Sequence, residues 1–266
     1  MLVCWPGGSY DRRYWQFDAV PDYSFAQYMA ARGFAVLAAD HLGTGASSKP
    51  VEVDRVDVEC LAAAAAEVAR QLRERFPTVP LVGVGHSLGG CVTVVAQAEH
   101  GCYDRIANLG YTQGAKASVA ADVADAGDAR AVAVEQAKAF FEDWDAGYAT
   151  APREPNHAWL YTSDTPAEVV AADDAAATPW PRQTYVDGLL AGYGGPFAAK
   201  VRSDVFLGFG EHDIPERPHD DVGFYTSSPD VTLFVLAGAA HCHNFAPTRT
   251  LLWERLGRWA ADARAR

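Results

Sequence analysis

The tightest constraint on this chain lies at Gly85-His86-Ser87-Leu88-Gly89-Gly90. Before it comes Leu81 to Gly85, a short apolar run set off by Pro77 and Pro80, which reads as a buried strand. After it, Leu88 to His100 reads as a helix. A G-x-S-x-G sequence at a strand-to-helix junction demands a tight turn, with a strained serine flanked by residues small enough for backbones to approach closely. The serine oxygen then stands at a helix N-terminus, where backbone N–H groups stabilise negative charge.

The rest of the chain supplies a frame for such a turn. Leu2 to Trp5 is an apolar run ending at Pro6-Gly7-Gly8. Tyr23 to Arg32 looks helical and stops at Gly33, and Phe34 to Ala39 then suits a strand buried on both faces. Leu61, Ala65, Val68, Leu72 and Phe76 recur at helical spacing, and a strand follows near Ile106 to Tyr111. Strand and helix in alternation predict a parallel sheet with helices on both faces. The rhythm breaks from Gln113 to Lys200, where no convincing buried strand is found. There Val134, Ala137, Phe141, Trp144 and Tyr148 predict one amphipathic helix, and Pro166 to Ala177 a second. Trp159, Tyr161, Trp180, Tyr185, Tyr193 and Phe197 add aromatic surface to this stretch. Alternation resumes with strands at Val205 to Phe209 and Thr232 to Leu236, then a helix from near Pro247 with Leu252, Leu256 and Trp259 on one face. The expected division is a sheet domain over 1–112 and 201–266, interrupted by a helical insertion over 113–200.

Composition narrows the function classes. A chain of 266 residues can bury a large core without staples. Its formal net charge of −12 argues against nucleic-acid and anionic-membrane partners, which need a basic face. No run of about 18 apolar residues suggests a membrane span, and Met1 to Tyr10 lacks the pattern of a secretory signal. The five cysteines form no C-x-x-C, so reduced thiols in a cytoplasm are expected. Neither a dinucleotide fingerprint nor a P-loop is present, so no cofactor is implied. His241-Cys242-His243 carries metal-ligand residue types, but it is too tight for the usual zinc spacings and has no second cluster, so no metal is expected.

With these motifs the sequence resembles the α/β-hydrolase superfamily over nearly its whole length. Asp40-His41-Leu42-Gly43-Thr44-Gly45-Ala46-Ser47 is similar to the family's D-x-x-G-x-G-x-S loop. Gly210-Glu211-His212-Asp213 is similar to its G-x-x-D, and Gly238-Ala239-Ala240-His241 to its G-x-x-H. The resemblance implies an α/β-hydrolase fold, a mostly parallel central sheet flanked by helices, with the insertion serving as a helical cap. Members usually carry two more antiparallel strands before the first loop. This chain begins inside the strand preceding it, so the expectation is either that the edge hairpin is missing or that the true start lies upstream. A homodimer could pair the sheet edge that a missing hairpin exposes.

A serine hydroxyl needs an adjacent base, histidine suits that role near neutral pH, and a buried carboxylate fixes the histidine tautomer. Ser87 is therefore the expected nucleophile, His241 the general base and then acid, and Asp213 the orienting acid, in the chain order this fold uses. His243 rivals His241, and Glu211, Asp220 and Asp221 rival Asp213; the motif spacings favour His241 and Asp213. The oxyanion hole is expected from the N–H groups of Leu88 and, by correspondence with the family's H-G-x loop, Gly8, although Pro6 stands where the family has histidine. Ser9, Tyr10, His86 and Trp144 are expected around the substrate, and His41 at the pocket edge. The implied activity is that of a serine esterase. It would cleave a carboxylic ester, lactone or thioester of a small to medium apolar or aromatic substrate through an acyl-enzyme. Carbon–carbon bond hydrolysis, acyl transfer and non-hydrolytic binding are the alternatives.

Overall fold

A computed structural model describes residues 1–114 and 126–262 of the chain. Six strands form one parallel sheet: β1 (Leu2–Trp5), β2 (Val36–Ala38), β3 (Val82–His86), β4 (Arg105–Leu109), and two more after the interruption. The helices α1 (Phe25–Ala30), α2 (Val58–Arg75) and α3 (Leu88–His100) connect the first four. The stretch between β4 and the fifth sheet strand carries α4 (Ala126–Phe140), a two-residue strand β5 (Tyr148–Ala149), α5 (His157–Leu160), α6 (Ala167–Asp174), β6 (Trp180–Pro181), α7 (Arg182–Leu189) and α8 (Gly195–Ala198). Then come β7 (Asp204–Gly210), β8 (Val231–Leu236) and α9 (Arg249–Ala261). The sheet order is β2-β1-β3-β4-β7-β8, and among the described residues it contains no antiparallel strand.

Alternate residues of each strand enter opposite cores, as the two-residue strand period requires. Val3, Trp5 and Ile106 pack on the side of Leu61, Val92 and Val95 from α2 and α3. Leu2, Cys4 and Val84 pack on the other side with Met29 from α1 and Leu252 and Leu256 from α9. Asp57 caps α2 by accepting the Cys60 N–H at 2.8 Å, and Gly101, at φ 55°, ends α3 in the left-handed conformation that glycine adopts without strain. At the start of β4, Arg105 pairs with Asp204 on the neighbouring strand at 3.0 Å, both nearly buried.

Three sequence expectations change. The run at 34–39 was expected to be a doubly buried strand, but β2 is a short edge strand and only half-buried. The helix expected through Tyr148 ends at Phe140, because Asp143 and Gly147 turn left-handed at φ 56° and 84°. Trp144 therefore lies in a 3-10 turn and Tyr148 in a strand. That strand pairs antiparallel with Trp180–Pro181, a ladder too short to leave any alternation in the sequence. The stretch also shares its packing with the sheet domain: Trp180, Tyr185, Val186 and Ala198 belong to the same buried cluster as α2 and α3. No described helix is long and apolar enough to cross a membrane.

His41 sits behind the Pro6-Gly7-Gly8 loop rather than at a pocket edge, packed between Trp5 and Trp180 at ring distances of 4.9 and 4.7 Å. Its Nε2–H donates to the Pro6 carbonyl at 3.1 Å, and its Nδ1 is buried without a partner among the described residues. Burial pushes its pKa down to about 3, against weaker upward pulls from the Pro6 carbonyl and Asp40. The unfolded imidazole titrates near ~6.5, so below that pH the unfolded chain binds a proton that the fold refuses. Stability then falls with pH, by at most ~1.4 kcal/mol per unit from this residue, until the folded group also titrates. His41→Gln removes this uptake. The native chain should lose more melting temperature between pH 7 and pH 5 than His41→Gln, as followed by circular dichroism; equal losses would show that His41 is not held neutral.

Candidate active site

Ser87 occupies the junction of β3 and α3 at φ 52°, ψ −126°, a strained backbone for a residue other than glycine. Its N–H donates to the Leu109 carbonyl at 2.7 Å. The flanking glycines are steric necessities: a Cβ at Gly85 would run into the Gly89 carbonyl, and one at Gly89 into the Pro6 carbonyl. These contacts press the Ser87 turn against the Pro6-Gly7-Gly8 loop. Gly8 and Leu88 both line the cavity that Ser87 faces, and among the described residues neither backbone N–H is taken by another protein group.

Asp213 stands just past β7 and is buried. Its Oδ1 meets His241 Nδ1 at 2.6 Å and accepts the Ile214 N–H at 2.7 Å. Its Oδ2 meets His243 Nε2 at 2.6 Å and accepts the Gly210 N–H at 3.1 Å. Burial alone would push this carboxyl up, but the two imidazoles, by charge and by hydrogen bonding, outweigh it and hold Asp213 well below the usual carboxylate range. An ionised acceptor of this kind sets the Nδ1–H tautomer of His241 and leaves Nε2 for the cavity. His241 lines that cavity together with Ser87. No hydrogen bond joins the two side chains in this structure; such bonds commonly tighten around a bound substrate.

The rival histidine of the sequence reading thus shares the acid rather than replacing His241. His243 lies behind the carboxylate, off the cavity wall, and its Nδ1 is buried without a partner among the described residues. Cys242 turns the other way, its Sγ 3.1 Å from the Tyr10 hydroxyl, and burial pushes its thiol up. Among the described residues no group of three or more His, Cys, Asp or Glu side chains is placed to hold a metal ion.

The cavity measures about 790 Å³. Its wall includes two of the expected substrate neighbours, Tyr10 and His86. His86 is fully buried and neutral: its Nε2–H donates to the His241 carbonyl at 2.8 Å, and burial and then the neighbouring His241 push its pKa well down. It orients the His241 backbone from behind. Ser9 and Trp144 do not reach the wall. Ser9 Oγ is consumed by the Tyr185 hydroxyl at 2.7 Å and the Ala151 N–H at 2.7 Å, which tie the β1 loop to the inserted stretch. Trp144 was displaced by the early end of α4 and stacks loosely on Phe141 at 6.4 Å. Sequence reasoning missed Phe140, Phe141, Arg153, Asn156, His212 and Ile214 on the wall. Trp159 and Tyr185 had been noted only as aromatic surface. The Trp159 ring lies 4.9 Å from His241, and its carbonyl accepts the His241 N–H at 3.1 Å. Phe141 belongs to the helical period read from the sequence, but a period marks a buried face and not a cavity wall; Arg153, Asn156, His212 and Ile214 lie in short turns outside any such period.

If His243 steadies the carboxylate, His243→Leu should cost stability by about 1.5–3 kcal/mol, the value of a hydrogen bond to a charged group. His243→Gln, which keeps an amide donor near the Nε2 position, should recover most of it. Urea melts of the three proteins test this; equal losses in both variants would mean that the bond to Asp213 is not what His243 contributes.

Comparisons with known proteins place the chain by its fold and by its sequence family. No curated protein matches the chain in sequence. Among solved structures, a thermophilic esterase from Thermogutta terrifontis is similar at TM-score 0.71 and 15% identity, over 98% of this chain and 89% of that one. A monoacylglycerol lipase from Paleococcus ferrophilus matches at TM-score 0.71 and 15% identity, over 98% and 94%. The enol-lactonase from Burkholderia xenovorans matches at TM-score 0.66 and 15% identity, over 100% and 91%. At such identities these likenesses concern the fold. The family model for the alpha/beta hydrolase family matches residues 2–251, nearly the whole sequence, and on that match the chain belongs to this family.

Proposed function

We propose that the protein is a serine hydrolase acting on carboxylic esters, lactones or thioesters of small to medium, apolar or aromatic character. The observation that carries this reading is the 2.6 Å contact between Asp213 and His241 on the wall of the cavity that the strained Ser87 also lines. His241 Nε2 takes the hydroxyl proton as Ser87 Oγ attacks the carbonyl, and the N–H groups of Gly8 and Leu88 receive the developing oxyanion. The tetrahedral adduct collapses as His241 returns the proton to the leaving alcohol. Water, deprotonated by the same imidazole, then releases the acid and regenerates Ser87. The stretch over 113–200 serves as the cap, closing an apolar chamber over the carboxyl ends of the strands. The occurrence of esterases, lipases and a lactonase among the structural neighbours supports the ester or lactone class.

Intact-mass analysis after fluorophosphonate treatment should show a single adduct on the native protein and none on Ser87→Ala. Absence of label on the folded native protein, with a small organophosphate as well, would sink the proposal. With an active ester in hand, His241→Ala and Asp213→Asn should each lower kcat by about 10³-fold or more, with KM changed far less.

A further inference from the structure

The cavity wall is mostly apolar, with Leu88, Tyr111, Phe140, Phe141, Trp159 and Leu160 among its members. Among the described residues, its one Arg or Lys is Arg153. Arg153, whose side chain is 11% exposed, is gripped from behind. Its Nη2 donates to the hydroxyls of Tyr10 at 2.7 Å and Tyr161 at 2.9 Å and pairs with the buried Asp173. Its Nε reaches Asp174 at 3.4 Å, and the guanidinium carbon stands 4.7 Å from the Tyr10 ring centre. The other arm of the fork, Nη1, has no protein partner among the described residues, and it is not among the polar atoms sealed away from solvent. The guanidinium is thus held rigidly in a mostly apolar wall, and the two N–H groups of its Nη1 have no protein partner among the described residues.

We propose that Arg153 Nη1 is a specificity subsite, and that the substrate is an ester or lactone bearing a second acceptor oxygen, keto or carboxylate, away from the scissile carbonyl. The inference rests on the cavity being the substrate site of the proposed hydrolase. An arginine fork suits planar oxygen acceptors, and it loses little freedom on binding because its Nε and Nη2 are already fixed. Asp173 and Asp174 behind it compensate its charge, so the subsite selects by hydrogen-bond geometry more than by net attraction of an anion. A substrate without the second oxygen would leave these donors unmet against an apolar ligand, and that penalty is the source of discrimination. Asn156 does not compete for the role: its amide is engaged with the Pro152 carbonyl at 2.5 Å and the Trp159 indole at 2.6 Å.

The test uses three matched ligands, ethyl pentanoate, ethyl 4-oxopentanoate and monoethyl glutarate, with homologues one and two carbons longer. On the native enzyme, kcat/KM for the better oxygen-bearing ester should exceed that of its alkyl match about tenfold or more. Arg153→Lys keeps a cation against Asp173 but loses the fork, and should bring that ratio to within about threefold of unity. The same ligands titrated calorimetrically into Ser87→Ala should bind in the same order without turnover. If the native protein cleaves no ester, the hydrolase reading fails while the binding order still judges the subsite. Should Arg153→Lys not fold, the Ser87→Ala series decides alone, since it retains Arg153. No preference at any chain length, or a preference that survives in folded Arg153→Lys, would overturn the proposal. The keto and carboxylate arms identify which oxygen chemistry the subsite takes.

Discussion

A carboxylate with almost no exposure to water organises one end of this molecule. Leaving Asp213 ionised at that depth would be costly without donors on both oxygens. The fold supplies four, one from Gly210 at the end of β7, one from Ile214 in the loop that follows, and two from histidines beyond β8. These segments can converge only because β7 and β8 are adjacent parallel strands whose carboxyl ends face the same way. Once His241 is fixed, its carbonyl accepts from His86 at the end of β3, and the Ser87 turn follows directly after. The relative placement of Asp213, His241 and Ser87 is thus carried by three strand ends and a short series of hydrogen bonds.

The inserted stretch is bound to the same region by polar contacts rather than by apolar packing alone. Ser9 holds Tyr185 and the Ala151 N–H, Trp180 donates to the Tyr10 carbonyl at 2.6 Å, and Tyr10 donates to Asp173 at 2.8 Å. The backbones of His241 and Cys242 donate to Trp159 and Leu160 in α5. The proposed oxyanion loop and the proposed base are therefore each hydrogen-bonded to a stretch that contributes to the cavity wall. A change in that stretch would be felt at both, since buried hydrogen-bonded networks have few alternative arrangements.

Much of this was legible in the residues. G-x-S-x-G, the run before it and the helix after it named the nucleophile turn, because glycine is the residue that allows such close backbone approach. Apolar runs located all six sheet strands, and G-x-x-D and G-x-x-H located Asp213 and His241, which the structure brings into contact. One of the six, β2, was placed too deep, since an apolar run of six residues looks the same at an edge as in the middle of a sheet. The helix through Tyr148 failed because helical spacing can continue by coincidence across left-handed turns at Asp143 and Gly147. Ser9 is expected near substrate as a neighbour in the oxyanion loop and Trp144 as part of the aromatic helix of the insertion, yet each is spent on packing or hydrogen bonds away from the wall.

What the sequence by itself determined is the order of the six sheet strands, their parallel arrangement and the three residues Ser87, Asp213 and His241 at strand ends. These depend on local periodicity and on glycines whose steric role is short in range. Tertiary structure alone decided that His243 shares Asp213 with His241, that His41 and His86 brace loops from behind, and that Arg153 stands in the cavity wall. Each of those facts turns on which atom of a side chain meets a partner tens or hundreds of residues away. The physical reason is that a buried polar group must find its partner in space, and no period in the sequence encodes where that partner will be.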